Sequence, residues 1–151
     1  MGRVYSAGFQ GIAISVATND VFEVAAPADA CLRILHAVIP QRSTETSDQI
    51  AVSIQRATTS GSGGTVVTAN PTSVGDPAFG GTCERNNTTQ ATTLTLLHAD
   101  SFNVLSGWYY LPPPEMRIEV SPSGIVVFRF EDAPAASTNF EFTVYFEEIG
   151  G

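Results

Sequence analysis

Residues 124–148, GIVVFRFEDAPAASTNFEFTVYFEE, decide the fold because they encode two amphipathic strands. The first strand alternates apolar Val126, Phe128 and Phe130 with a second set of side chains: Val127, Arg129 and Glu131. The second strand places four large apolar residues on one face: Phe140, Phe142, Val144 and Phe146. Successive side chains of a strand point to opposite faces, so each strand is predicted to bury one face and solvate the other. The rest of the chain is expected to cover this apolar surface.

The composition favours a single folded domain spanning residues 1–151. Hydrophobic residues make up 43% of the chain and charged residues 15%, which is ordinary for a folded protein. Gly, Pro, Ser and Thr separate short segments predicted as strands, for example residues 12–17, 21–25 and 50–55, and no helical period is convincing. We therefore predict an all-β fold, an antiparallel β-sandwich of about eight strands.

The charge argues against two classes of partner. The net charge is −8, and the basic residues are seven arginines that do not cluster. Such a surface repels the phosphates of nucleic acids and of anionic membranes, so neither is an expected partner. The sequence has no apolar run of about 18 residues that could span a membrane. The opening residues are not followed by an apolar stretch, so no signal peptide is expected.

Residues 59–90 form the least regular part of the chain. They are rich in Gly, Ser, Thr and Asn, and a structureless loop of this length is uncommon inside a compact domain. One hypothesis is that short strands lie within it, with Thr65–Thr68 as a candidate. The other is a functional excursion that packs on a neighbouring subunit. We expect a mixture of the two.

Candidates for chemistry are few. His36 is predicted to share a face with Leu32, Ile34 and Val38, and to be a core or interface residue rather than a ligand. The run 98–101 contains His, Asp and Ser, but catalytic triads are assembled from separate elements, not from neighbours in sequence. Two distant histidines cannot build a metal site of the cupin kind. Cys31 and Cys83 are expected to be free thiols. We therefore predict no catalytic, cofactor-binding or metal-binding residues, and no enzyme activity.

The strongest local signal is an aromatic cluster followed by prolines. Trp108, Tyr109 and Tyr110 precede Pro112–Pro114, whose missing N–H donors and fixed φ enforce an extended segment. Three interpretations remain open: core packing at a strand end, a protein contact surface, or a platform on which sugars stack.

Several short segments of the chain resemble small proteins encoded by tailed phages and prophages. They are Arg3–Ser6, Asp20–Pro27, Gly61–Gly64, Asn86–Thr89, Leu97–Val104 and Trp108–Glu115. Small all-β phage proteins of this kind resemble jelly-roll, tumour-necrosis-factor-like capsid decoration (cement) proteins. The resemblance covers most of the chain, and its motifs carry no known catalytic role.

The resemblance implies a jelly-roll virion protein on the capsid exterior, made in the bacterial host cytoplasm. Its implied partners are the major capsid protein and copies of itself, with a homotrimer as the expected oligomer. Residues 1–9 are expected to form an extended arm, which makes Tyr5 and Phe9 interface candidates together with Trp108, Tyr109 and Tyr110. The alternative is a carbohydrate- or receptor-binding sandwich of a phage tail, neck or fibre.

Overall fold

The computed structural model describes residues 2–14, 19–43 and 47–150. Within these ranges it contains short 3₁₀ geometry at Pro114–Met116 and twelve strands. The strands are β1 (Arg3–Ile14), β2 (Asn19–Ala25), β3 (Ala30–Ile39), β4 (Gln49–Thr59), β5 (Thr65–Val66), β6 (Asn70–Pro71), β7 (Thr82–Arg85), β8 (Thr92–Asn103), β9 (Trp108–Tyr110), β10 (Glu119–Val120), β11 (Ile125–Phe130) and β12 (Thr138–Gly150). Residues 15–17, predicted to continue the first strand, lie outside the described ranges.

The strands form two antiparallel sheets that face each other. Sheet 1 has the order β10-β3-β12-β1-β6, and β9 also pairs with β3. Sheet 2 has the order β5-β7-β2-β11-β4-β8. Aromatic rings from the two sheets meet between them: Phe22 of sheet 2 stacks on Phe142 of sheet 1 with ring centroids 4.7 Å apart. The predicted all-β, antiparallel sandwich is confirmed, and the strand order is compatible with a jelly roll.

The two carboxyl-terminal strands lie at the centre of their sheets, as their apolar pattern predicted. β12 lies between β3 and β1, and β11 lies between β2 and β4. The inward side chains of both strands are buried. The outward side of β11 differs from the prediction, because Val127 and Arg129 are also buried. Loop residues such as Ala91 pack against this outer face, so β11 is covered on both sides.

A buried ion pair accounts for the polar residue on the covered face of β11. Arg129 Nε lies 2.5 Å from Asp20 Oδ1, and Arg129 also donates through Nη2 to the Ala91 carbonyl over 3.0 Å. The Ala91 backbone N–H donates to the other carboxylate oxygen of Asp20 over 2.6 Å. The pair therefore fastens the loop before β8 to the middle of sheet 2.

β3 does not follow its predicted pattern, because it contains a bulge. Ile34 pairs with Phe146 and His36 pairs with Tyr145, so Leu35 is an extra residue between them. An extra residue reverses the facing of everything that follows it. His36 therefore lies on the outer face, stacked on the Tyr145 ring, while Leu32 and Ile34 point into the core. The prediction that His36 shares a face with Leu32 and Ile34 is wrong, whereas Val38, two residues after His36, lies on the same outer face.

The expected amino-terminal arm is part of the sandwich. Arg3–Phe9 pair with β12 in continuous antiparallel register. Tyr5 is fully buried, and its hydroxyl donates to the Pro77 carbonyl over 3.1 Å. Phe9 stacks on Phe142 with ring centroids 5.6 Å apart. Tyr5 therefore lies in the core, and the half-buried Phe9 packs against the core from β1.

The Gly-rich segment 59–90 contains the short strands β5, β6 and β7. The candidate Thr65–Thr68 contributes β5, as predicted, whereas β7 has no clear sequence signal. β7 pairs with β2, and β6 pairs with β1, so the segment closes one side of the sandwich. Cys83 of β7 joins the main core.

A candidate docking groove at the open side of the sandwich

A groove lies on the side of the molecule where β8, the last strand of sheet 2, meets β9 of sheet 1. Its volume is about 420 Å³, which is within the range of small-ligand sites. Ten residues line it: Leu97, His98, Asp100, Tyr109, Tyr110, Leu111, Pro112, Pro113, Met116 and Ile118. We call this surface the β8–β9 groove.

The proline segment shapes one wall of the groove. β9 ends at Tyr110, and the prolines that follow lack the N–H groups needed to continue pairing with β3. The chain then makes one 3₁₀ turn, Pro114–Met116, before Glu119 of β10 pairs with Arg33 of β3. This path leaves the side chains of Leu111 and Met116 exposed at the groove.

The three aromatic candidates of β9 divide between core and surface. Trp108 is 3% exposed and Tyr110 7% exposed, whereas Tyr109 is 68% exposed. Alternation along the strand explains this division. Trp108 and Tyr110 pack in the core, as one of the three interpretations predicted, and stack with ring centroids 6.0 Å apart. Tyr109 is the member of the trio whose ring is accessible to a partner.

The opposite wall carries the polar groups. His98 and Asp100 lie on the inner side of β8, opposite Ile54 and Val52 of β4. The Trp108 indole N–H donates to Asp100 Oδ2 over 3.0 Å. This hydrogen bond, opposed by partial desolvation and assisted by the Ser101 backbone N–H, lowers the pKa of Asp100 below its usual value. The carboxylate therefore stays ionised over the whole neutral and mildly acidic range.

Residues 98–101 do not form a triad. His98 Nε2 is 3.9 Å from Asp100 Oδ2, beyond hydrogen-bond distance. Ser101 is the next residue along β8 after Asp100, so its side chain lies on the other face of the strand. The two rings nearest His98 are those of Tyr110 and Trp108, with centroids 5.0 Å and 6.3 Å away. The cluster is therefore arranged as an aromatic wall with one fixed anion.

Three exposed apolar side chains line this groove. Eight large apolar side chains are exposed in the described part of the chain, and Tyr109, Leu111 and Met116 are the three that belong to the lining. Leu96 and Leu105 lie in the same stretch of sequence but outside the lining. An exposed apolar patch of this kind is typical of a surface that binds another molecule.

A second cavity, of about 290 Å³, lies beside β7 and includes Glu23, Phe79 and Cys83 in its lining. Burial raises the pKa of the Cys83 thiol to about 12, so it is not a reactive thiolate. Cys31 and Cys83 are both free, and they belong to different sheets. Glu23 accepts hydrogen bonds from the Ser60 hydroxyl, the Gly61 N–H and the Asn87 amide. These hydrogen bonds hold the loops in place, so the Glu23 carboxylate has a structural role and is not free to bind a ligand.

Metal-binding geometry is lacking in residues 2–14, 19–43 and 47–150, where no three His, Cys, Asp or Glu side chains come together as ligands. The same ranges hold no helix with the length and apolarity needed to cross a membrane.

Sequence reasoning identified the aromatic cluster but missed the other components of the groove. The role of Asp100 depends on the pairing of β8 with β4 and on the fold of β9 against β3, which bring it to Trp108. One signal was available: His98, Asp100 and Phe102 alternate, which places a charge on the same face as a core phenylalanine. Comparisons of the chain with protein-family models, curated proteins and solved structures found no match.

Proposed function

We propose that this protein is a virion structural protein that decorates or cements a tailed-phage capsid through protein–protein contacts. The observation that carries the proposal is the exposure of Tyr109, Leu111 and Met116 together in the lining of the β8–β9 groove. A rigid sandwich with an apolar, aromatic-lined side is suited to holding a neighbouring subunit.

Other features of the molecule support this assignment. Its acidic charge of −8 suits a position on the capsid exterior, away from packaged DNA. Under this proposal its partners are the major capsid protein and copies of itself, with a closed trimer as the expected assembly. The resemblance of its short segments to phage proteins points in the same direction. No enzymatic step is part of this function.

The proposal predicts that the protein is found in purified virions and binds them through the groove. A variant carrying Tyr109→Ser, Leu111→Ser and Met116→Ser should fold but lose most of its occupancy on particles, because it removes the exposed apolar anchors. A matched control is Val74→Ser, which changes an exposed apolar side chain outside the groove. Occupancy is measured by mass spectrometry of purified particles and by cryo-EM. Absence of the protein from virions, or full occupancy by the triple variant, would reject the proposal.

A carbohydrate-binding function is the second candidate, favoured by the exposed Tyr109 ring beside the polar groups of Asp100 and His98 in one concave surface. Sugars stack on accessible aromatic rings and hydrogen-bond to neighbouring carboxylates. If this function holds, a glycan array should show binding that Tyr109→Ala abolishes. Trp108→Ala is a poor choice here because Trp108 is buried. Binding to no glycan, or binding that survives Tyr109→Ala, would exclude this candidate.

A further inference from the structure

We propose that the β8–β9 groove binds an arginine or lysine side chain presented by an extended, apolar segment of a partner protein, and that Asp100 selects that cation. The inference rests on the proposed function, which it deepens by naming the chemistry of the partner.

The charge of the groove favours a cation. Among its ten lining residues, Asp100 is the acidic one, and neither Arg nor Lys contributes to the lining. Asp100 is 47% exposed. One of its oxygens accepts the Trp108 indole N–H and the other accepts the Ser101 backbone N–H over 2.8 Å. A carboxylate offers about four acceptor sites, so these two bonds fix its orientation and leave capacity for a guanidinium or ammonium group.

The walls of the groove match the stem of such a side chain. Leu97, Leu111 and Met116 supply aliphatic surface, against which the methylenes of arginine or lysine pack while the charged end reaches Asp100. The rings of Tyr109 and Tyr110 lie in the same lining, and aromatic faces attract cations within about 6 Å. One side chain therefore finds both apolar and charged contacts.

The backbone of β8 offers a means of holding the rest of the segment. β8 is the terminal strand of sheet 2 and pairs on one side with β4. The N–H and C=O groups on its other side are available to an added strand, which is a recurrent way of binding extended peptides. Asp100 is the single charged residue of the twelve in β8, so little electrostatic repulsion opposes such pairing.

The cation is expected from another protein rather than from a second copy of this chain. Each copy carries a net charge of −8, so long-range electrostatics disfavour a second copy as the occupant of this groove, and the trimer of the proposed function would use other surfaces. Of the seven arginines, Arg3, Arg33, Arg42 and Arg129 form ion pairs within the chain. Arg85 lies over the Phe9 ring, 5.4 Å from its centroid. A partner with a basic, apolar segment complements the groove better.

The test uses the only tryptophan of the chain, Trp108, as a fluorescent reporter of the groove. The probes are three acetylated, amidated pentapeptides of leucine with arginine, glutamine or glutamate at the centre. The arginine peptide should bind about tenfold or more tightly than the glutamine peptide, and the glutamate peptide most weakly. Asp100→Asn should remove this preference, whereas Glu141→Gln, which changes a carboxylate paired with Arg42, should leave it intact.

Equal binding of the three peptides, or an arginine preference that survives Asp100→Asn, would overturn the proposal. If Asp100→Asn fails to fold, the salt dependence of the wild-type protein replaces it: raising NaCl from about 0.05 to about 0.5 M should weaken the arginine peptide and leave the glutamine peptide nearly unchanged. Concentration-dependent self-association that blocks peptide binding in analytical ultracentrifugation would also overturn it, by making a second copy the occupant. Virion localisation is measured separately, so failure of the cation preference and failure of the capsid function are distinguishable.

Discussion

Replacing Asp20 by alanine is expected to lower the free energy of unfolding by about 3–5 kcal/mol, because it leaves the Arg129 guanidinium as an unpaired buried charge. The same substitution removes the acceptor of the Ala91 N–H, so the loop before β8 also loses its attachment to sheet 2. Urea denaturation followed by circular dichroism measures the loss.

Two further variants test whether the loss of stability comes from the unpaired buried charge. Glu141→Gln breaks the more exposed ion pair with Arg42 and should cost less than about 1 kcal/mol. A double variant, Asp20→Leu with Arg129→Met, should recover much of the stability lost in Asp20→Ala, because it leaves no unpaired charge. A loss below about 1 kcal/mol for Asp20→Ala would show that the buried pair does not fasten the loop.

Phe142→Ala is expected to destabilise the protein by about 3–5 kcal/mol, the usual range for removing a buried phenylalanine. Phe142 joins the two sheets, since its ring lies 4.7 Å from that of Phe22 and 5.3 Å from that of Phe128, centroid to centroid. It also stacks on Phe9 of the neighbouring β1. Its removal opens a cavity among these three rings. Thermal and urea unfolding measure the effect.

The control for this prediction lies on the same strand. Tyr145 belongs to β12 but points outward and is 38% exposed, so Tyr145→Ala should cost much less than Phe142→Ala. Phe142→Leu should lie between the two, since it retains most of the apolar surface. Equal losses for Phe142→Ala and Tyr145→Ala would contradict the assignment of the sandwich interior.

The parts of the fold that sequence predicted are those determined by local alternation. β11 and β12 repeat apolar residues with period two, and each sits at the centre of a sheet with that face inward. The prediction of a sandwich followed from the need to cover these faces. The two free thiols were also expected.

The parts that sequence could not predict depend on contacts between distant segments. Nothing near Arg129 indicates that Asp20, more than a hundred residues earlier, neutralises it beneath a loop. The bulge at Leu35 reverses the facing of His36, and a pattern-based argument assumes uninterrupted alternation. The arm is predicted for the amino-terminal segment from the resemblance to decoration proteins, and the sequence does not show that this segment pairs with β12, more than a hundred residues later. The groove could not be predicted either, because β8, β9 and the proline segment come together only in the folded structure.

The central place of β12 in sheet 1 has a consequence for how the chain is made. β12 separates β3 from β1, so these two strands have no common neighbour until residues 138–150 have left the ribosome. During translation the apolar faces of Leu32, Ile34 and Tyr5 remain without their final cover. Sheet 1 must therefore wait until β12 has been synthesised, and its folding then joins strands far apart in sequence, which is slow and exposes the nascent chain to aggregation.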